Sequence, residues 1–360
     1  MKRRELLKLT ALAGTGLALP RIAGADDVDR LATVERLLGQ LSLDEKIGQM
    51  MMSYPPLDKT GPVPIGSVIF VGNLLKSESA VLERITSLQS RARIPLLIAA
   101  DVEGGTLNKL SFLPGLEDVP SNRELARGGE EVARQWGRKV GAGMRHLGIN
   151  MALAPVLDVA AKGMMFESGR SFGADPSVAA ALGQAYSQGL AESDVVAVGK
   201  HWPGYGDLEA NTDHHFVVTE RTTGEVDRQA QAFVGCGDAI VGVMLANVGY
   251  DSYGSVPAIL STDLVRSAHR QGWLTITDDL AIDALAEATG GDKDEVVRRA
   301  FLAGNDILLT TAPIDWDKAL DYRGIVKDLV AARPELVARV DDSVHRILRV
   351  KARAGLLDAL

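Results

Sequence analysis

The chain has one cysteine, few aromatic residues and no apolar run long enough to cross a membrane. Of its 360 residues only Cys236 carries a thiol, which excludes an internal disulfide. Aromatic residues make up 5% of the sequence, whereas hydrophobic residues make up 46% and charged residues 24%. This composition is typical of one large globular core that packing holds together, and it excludes a disordered chain.

Basic residues are also in deficit. Lys and Arg number 39 against 47 Asp and Glu, so the formal net charge is -8. A negative protein is not drawn broadly to phosphate backbones or to anionic membranes, and we expect no nucleic-acid partner. A neutral or locally recognised small ligand fits this charge better.

The first 25 residues have the pattern of a targeting segment. Basic residues at 2–4 precede an apolar stretch at 9–19, and small residues at 23–25 form a cleavage site. The paired arginines resemble a twin-arginine export signal, which predicts a periplasmic or secreted protein cleaved after Ala25. The apolar stretch is shorter than the ~20 residues of a membrane-spanning helix, so we expect no stable membrane insertion after cleavage. An uncleaved anchor is the alternative.

Apolar, β-rich runs alternate with amphipathic helical patterns along the rest of the chain. This alternation is expected of parallel βαβ units. Helices are predicted at 79–91 and 175–193, the second starting with Asp175-Pro176 as N-cap and first helical residue. The predicted strands are 49–53, 67–71, 96–100, 150–155, 195–199, 240–246, 274–277 and 307–310.

Eight strands in a chain of this length favour a closed barrel over a doubly wound open sheet. Polar residues come directly after the strand runs: Asp101, Glu103, Asp158, Lys200, His201, Asn247, Asp278 and Asp279. In a barrel these positions converge on the face that carries the active site. We therefore predict an α/β fold, a single (β/α)₈ barrel domain at 26–360, with one polar pocket.

The segment 200–215 holds the densest group of reactive side chains. Gly and Pro interrupt regular structure there, and three of the six histidines fall within it. One hypothesis pairs Asp213 with His215, so that the carboxylate orients an imidazole that acts as general acid and base. A polar surface loop is one alternative. A metal site is another, and its ligands would be His201, His214, His215 and Asp207. That spacing matches no familiar ligand template, so we predict no metal.

Two further segments hold candidate residues. An apolar strand at 274–277 ends in Asp278 and Asp279, and because side chains alternate along a strand only one carboxylate should face a ligand. Periodicity does not decide which one, and either is also suited to cap the following helix. Arg170 lies between glycines, where it is suited to clamp hydroxyls or an acyl oxygen, or else is simply solvated.

Six motifs, in chain order, resemble those of glycoside hydrolase family 3, in particular its bacterial β-N-acetylhexosaminidase branch. They are LSLDEKIGQM at 41–50, DVEGG at 101–105, GIN at 148–150 with APVLDV at 154–159, RSFG at 170–173, KHWPG at 200–204 with Asp213-x-His215, and TDDL at 277–280. The resemblance extends over nearly the whole predicted domain.

The resemblance implies a retaining exo-β-N-acetylglucosaminidase that releases terminal β-linked N-acetylglucosamine from glycans such as peptidoglycan fragments. It implies that Asp278 is the nucleophile and that Asp213 and His215 supply acid/base catalysis. The residues implied to hold the terminal sugar are Asp101, Lys109, Arg170, Lys200 and His201. The implied partner is a small carbohydrate, and no metal or organic cofactor is implied.

Some positions depart from the family pattern. Tyr205 stands where His is usual, Val102 where Gln is common and Thr106 where Arg is common, and the loop at 206–213 is slightly longer. Tyr205 resembles the β-glucosidase branch, but that branch takes its acid/base from a second domain, for which a single barrel leaves no room. A β-glucosidase-type enzyme, a phosphorolytic enzyme and a non-catalytic exported sugar-binding protein are the alternative functions.

Overall fold

The computed structural model describes residues 25–56, 58–209, 212, 214–311 and 316–360. The predicted targeting segment lies outside these residues except for Ala25, which begins the first helix, and Asp213 also lies outside them.

Eight parallel strands form one sheet that closes into a barrel. They are β1 (Met51–Ser53), β2 (Ser67–Phe70), β3 (Leu97–Ala100), β4 (Met151–Ala152), β5 (Val196–Trp202), β7 (Ile240–Leu245), β9 (Leu274–Ile276) and β10 (Leu308–Thr310). Their order is β10-β1-β2-β3-β4-β5-β7-β9. Ile307 N donates to Thr275 O and Thr277 N to Ile307 O, each at 3.0 Å, and these bonds join β9 to the start of β10. The predicted (β/α)₈ barrel is therefore confirmed.

A separate parallel pair, β6 (Val218–Thr219) with β8 (Gly249–Tyr250), lies outside the barrel sheet. The helices are α1 (Ala25–Gln40), α2 (Leu43–Gln49), α3 (Glu78–Arg91), α4 (Asn122–His146), α5 (Gly163–Glu167), α6 (Pro176–Ala191), α7 (Thr223–Val234), α8 (Thr262–Arg270), α9 (Asp283–Ala288), α10 (Lys293–Ala303), α11 (Asp317–Ala332) and α12 (Leu336–Arg353). Among the described residues, no helix combines the length and the apolar composition that a membrane crossing requires.

Local sequence signals set several helix starts. Ser42, Ser121 and Thr222 begin α2, α4 and α7 with capping boxes, in which each side chain pairs with a Glu three residues later. Asp175 caps α6 and Pro176 is its first residue, as predicted. These caps satisfy backbone N–H groups that the first helical turn leaves without partners.

All eight predicted strands are present, and two of them end three residues away from the predicted end. β4 ends at Ala152, before Pro155, which has no N–H to donate to a neighbouring strand. β5 runs on to Trp202, because Lys200 and Trp202 still pair with β7. Lys200 and His201 therefore belong to a strand and not to the loop in which the sequence placed them. Every residue of β2 and β3 is buried, as expected of strands covered on both faces.

A buried lysine lies far from the polar end of the barrel. Lys351, on α12, has no exposed surface, and its Nζ donates to Gln49 Oε1 at 2.6 Å. Burial lowers the pKa of Lys351 from 10.5 to about 7. Between pH 7 and pH 10.5 Lys351 is therefore protonated in the unfolded chain and neutral in the folded protein. Folding should thus become more favourable as the pH rises from 7 to 10.5.

We predict that the free energy of unfolding rises by a few kcal/mol between pH 7 and pH 10, and that Lys351→Met removes most of this rise. Urea unfolding at a series of pH values measures it. Lys293→Met, at an exposed lysine of α10, should keep the wild-type slope. Equal slopes in wild type and Lys351→Met would show that Lys351 stays charged in the folded state.

Candidate active site

A polar pocket of about 450 Å³ lies where the strands of the barrel end. We call it the central pocket. Asp101 follows β3, His201 lies near the end of β5, Asp278 follows β9 and Thr311 follows β10. The residues that line it include Tyr54, Asp101, Glu103, Lys109, Met164, Arg170, Lys200, His201, Tyr205, Thr212, Met244, Asp278, Asp279 and Thr311. Active sites of this architecture occupy the same end of the barrel.

The structure brings together most of the residues that the sequence singled out. The predicted residues in the central pocket are Asp101, Lys109, Arg170, Lys200, His201 and Asp278. His214 and His215 are exposed, and neither is among the described residues that line the pocket. The acid/base role of Asp213 and His215 therefore stays a prediction.

A buried carboxylate organises two of the basic side chains of the pocket, Lys200 and Arg170. The Glu103 side chain is 4% exposed and accepts hydrogen bonds from Arg170 Nε at 2.6 Å and Nη2 at 2.9 Å. Lys200 Nζ lies 2.6 Å from Glu103 Oε1 and 2.6 Å from Asp101 Oδ1. Asp101 is 32% exposed, so it is the carboxylate of this group that a ligand can reach. The sequence placed Glu103 in a motif but gave it no role.

These contacts keep Glu103, Lys200 and Arg170 charged. Burial alone would raise the pKa of Glu103, but the charges of Lys200 and Arg170 lower it to about 2. Burial would likewise lower the pKa of Lys200, whereas Asp101 and Glu103 raise it above its ordinary value. The pKa of Arg170 is also raised, because Glu103 outweighs the effect of burial. The pocket therefore holds two fixed cations that can donate to ligand oxygens.

A second buried carboxylate fixes His201. Asp158 has no exposed surface, and its Oδ2 accepts from His201 Nδ1 at 2.8 Å. Its Oδ1 accepts from Tyr205 N at 2.8 Å and His201 N at 3.3 Å. This pairing commits Nδ1 to Asp158, so Nε2 is the ring nitrogen that can contact a ligand. Sequence reasoning placed Asp158 at the right end of the barrel but did not include it among the site residues.

Two adjacent carboxylates follow β9, and their hydrogen bonds separate their roles. Asp279 Oδ1 accepts from Ala281 N at 2.9 Å and Thr311 N at 3.2 Å, and Asp279 Oδ2 accepts from the Thr311 hydroxyl. Asp279 is thus the carboxylate that stabilises the turn. Asp278 Oδ2 instead accepts from Asn247 Nδ2 at 3.2 Å, and its Oδ1 accepts from Asp279 N at 2.8 Å. Both carboxylates line the central pocket, so the role of Asp278 as the one that faces the ligand stays a prediction.

The proposed metal ligands do not form a cluster. Asp207 Oδ1 accepts from Ala161 N at 2.7 Å and Lys162 N at 3.3 Å, so it ties two loops together. His201 is buried, whereas His214 and His215 are exposed. Within the part of the chain that the structure describes, no three His, Cys, Asp or Glu side chains are grouped as metal ligands.

The strand ends of this (β/α)₈ barrel present carboxylates, two cations and a fixed imidazole. Such an arrangement is typical of an enzyme that acts on a polar substrate. The family model described as glycosyl hydrolase family 3 N terminal domain matches residues 42–350. The chain therefore belongs to glycosyl hydrolase family 3, and the glycosidase class that the motifs implied is confirmed.

Several proteins of known name resemble the chain. A beta-hexosaminidase of Bordetella avium (strain 197N) is 31% identical over 258 residues, which cover 68% of this chain and 73% of that protein. A Cellulomonas fimi protein named beta-N-acetylglucosaminidase/beta-glucosidase is 28% identical over an alignment of 363 residues, covering 92% of this chain. The match covers 61% of the Cellulomonas protein, so this chain spans about three fifths of that relative's length.

A solved structure has the same fold over nearly its whole length. The beta-N-acetylhexosaminidase from Beutenbergia cavernae DSM 12333 superposes with a TM-score of 0.75 at 27% sequence identity. The superposition covers 87% of this chain and 99% of that one.

We predict that Glu103→Gln lowers the free energy of unfolding by about 3 kcal/mol at pH 7, because Lys200 and Arg170 lose a buried counter-charge. The pKa of Glu103 is depressed, so its contribution is present above pH 4.5 and is lost as the pH falls toward 2. The difference between variant and wild type should shrink over that range. Urea unfolding at several pH values measures it. Glu192→Gln, at a surface ion pair, should change stability little. A constant difference down to pH 2 would contradict this assignment.

Proposed function

We propose that this protein is a retaining exo-β-N-acetylglucosaminidase that hydrolyses terminal β-linked N-acetylglucosamine from glycans such as peptidoglycan fragments. The observation that carries the proposal is the Asp278 carboxylate, which follows β9 and is held by Asn247 in the pocket that contains the residues predicted to bind sugar. The names of the Bordetella, Cellulomonas and Beutenbergia relatives support the choice of an amino sugar.

The proposed reaction has two displacements. In the first, an Asp278 oxygen forms a bond to the anomeric carbon while the bond to the leaving oxygen breaks and His215, as imidazolium, gives that oxygen a proton. In the second, neutral His215 takes a proton from water, the water oxygen bonds to the anomeric carbon and the Asp278 ester breaks. Two inversions restore the β configuration, and the enzyme returns to its starting state.

The remaining residues of the central pocket would hold the terminal sugar. Asp101 accepts hydrogen bonds from hydroxyls, and Lys200 and Arg170, fixed by Glu103, donate to sugar oxygens. Lys109 and His201 complete the polar lining. Because Asp101, Lys200, Arg170 and His201 are already paired before substrate binds, little ordering of these side chains is needed at the moment of reaction.

The place of action is the other part of the proposal. The targeting pattern at residues 1–25 favours the periplasm or the extracellular space. There the enzyme would act on peptidoglycan fragments or other glycans that end in β-linked amino sugars.

The direct test is nitrophenol release from matched aryl β-N-acetylglucosaminide and aryl β-glucoside by residues 26–360 in phosphate-free buffer. We expect turnover of the amino sugar, and a loss of roughly a thousandfold or more in kcat for Asp278→Asn, because no nucleophile remains. Asp279→Asn, which alters the turn, is the matched control and should retain more activity. Turnover of the glucoside alone would move the protein to the β-glucosidase branch. Turnover that requires added phosphate would make it a phosphorylase.

A second prediction tests the acid/base. His215→Ala should lower kcat/KM by about a hundredfold on a phenyl glycoside, and by less on a dinitrophenyl glycoside, whose leaving group needs no proton. His214→Ala is the control and should leave both substrates near wild-type rates. The reverse pattern, with the loss confined to His214→Ala, would assign the acid/base to His214.

A further inference from the structure

The hydroxyl group of Tyr205 connects two parts of the central pocket. Thr212 Oγ1 donates a hydrogen bond to Tyr205 Oη at 3.0 Å, and Asn247 N lies 3.4 Å from the same oxygen. The side chain of Asn247 then donates from Nδ2 to Asp278 Oδ2 at 3.2 Å. One hydrogen-bonded chain therefore runs from Thr212 through Tyr205 and Asn247 to Asp278.

Tyr205 is itself held rigidly. Its N donates to the buried Asp158 at 2.8 Å, and its O accepts from Arg221 Nη2 at 2.9 Å. The edge of its ring meets His201 with centroids 4.7 Å apart. Tyr205 is 2% exposed, so its hydroxyl has a fixed place between the two groups that it contacts.

Thr212 is buried in a segment whose next described residue, His214, is exposed. Its hydroxyl bond to Tyr205 anchors the chain one residue before Asp213, which the sequence assigns to the acid/base pair. Asn247, at the other end, holds the carboxylate proposed as nucleophile.

The Tyr205 hydroxyl is neutral in these contacts. Burial, and after it the charge of Asp278, raises the pKa of Tyr205 well above its ordinary value, so the hydroxyl stays protonated. It therefore adds no charge to the pocket and acts through the position of its oxygen.

We propose that Tyr205 is a positioning residue, whose hydroxyl ties Thr212 to Asn247 and so fixes the position of Thr212 relative to Asp278, the proposed nucleophile. This inference rests on the proposed function for the roles of Asp278 and of the segment after Thr212. It assigns a task to a residue that differs from the family pattern described above.

A double-mutant cycle tests the bond between the two hydroxyls. Tyr205→Phe and Thr212→Val each remove one partner with little change in shape, and each should lower kcat about tenfold on the aryl β-glycoside that wild type turns over best. Because both remove the same bond, the double variant should be no slower than the slower single variant. Thr212→Ser, which keeps the hydroxyl, should restore most of the rate. Rate losses that multiply in the double variant would overturn the proposal.

The control for loss of a buried tyrosine hydroxyl is Tyr250→Phe. Tyr250 is fully buried and its hydroxyl donates to Gly204 O at 2.8 Å, without contact to Thr212. Its effect should multiply with that of Thr212→Val. If Tyr250→Phe coupled to Thr212→Val as strongly as Tyr205→Phe does, a general loosening of core packing would explain the losses in kcat, and the proposal would fail.

Amide hydrogen exchange supplies a readout that does not depend on the substrate. Tyr205→Phe and Thr212→Val should raise exchange in the peptide that contains Thr212 by the same factor, and Tyr250→Phe should raise it less. Unchanged exchange in Tyr205→Phe would refute the positioning role even if the enzyme is an active N-acetylglucosaminidase. If Tyr205→Phe raised exchange and the wild-type enzyme preferred glucosides, the positioning role would stand and only the proposed function would change.

Discussion

The ion pairs of Glu103 are the interaction on which the polar end of this barrel depends. A buried carboxylate between Lys200 and Arg170 makes it possible for two cations to stand in a cavity that would otherwise disfavour their charges. The Asp158 carboxylate holds the ring of His201 in place through Nδ1. Asp101, Asp278 and Asp279 are the other carboxylates that line the pocket. The pocket is therefore organised before substrate arrives.

The barrel brings these groups together from distant parts of the sequence. Asp101 and Asp278 follow different strands, and closure of the sheet between β9 and β10 places both at one rim. Each side chain then depends on a neighbour: Asn247 for Asp278, and Glu103 for Lys200.

Alternation of strands and helices was enough to predict the barrel and to place the polar residues at its rim, because chain order and strand ends fix both. Strand periodicity did not choose between Asp278 and Asp279, and the contacts of Asp279 with Thr311 were beyond the local pattern because Thr311 follows the next strand. Pairing with β7 likewise extends β5 through Lys200 and His201, which local pattern assigned to a loop. The role of Glu103 as a buried counter-ion could not be predicted, because it depends on contacts with Lys200 and Arg170 that form only in the folded protein. His215 was named from a motif, and its exposed position gives that role no geometric support.

Identification of the residue that bonds to the sugar is the most direct test of Asp278 as the nucleophile. A fluorinated N-acetylglucosaminyl fluoride, which forms the glycosyl-enzyme faster than water removes it, would be added to the protein, and the modified peptide would be located by mass spectrometry. We expect one sugar per chain, esterified to Asp278. A sugar on Asp279 or Asp101, or steady turnover of the reagent without any covalent adduct, would contradict it.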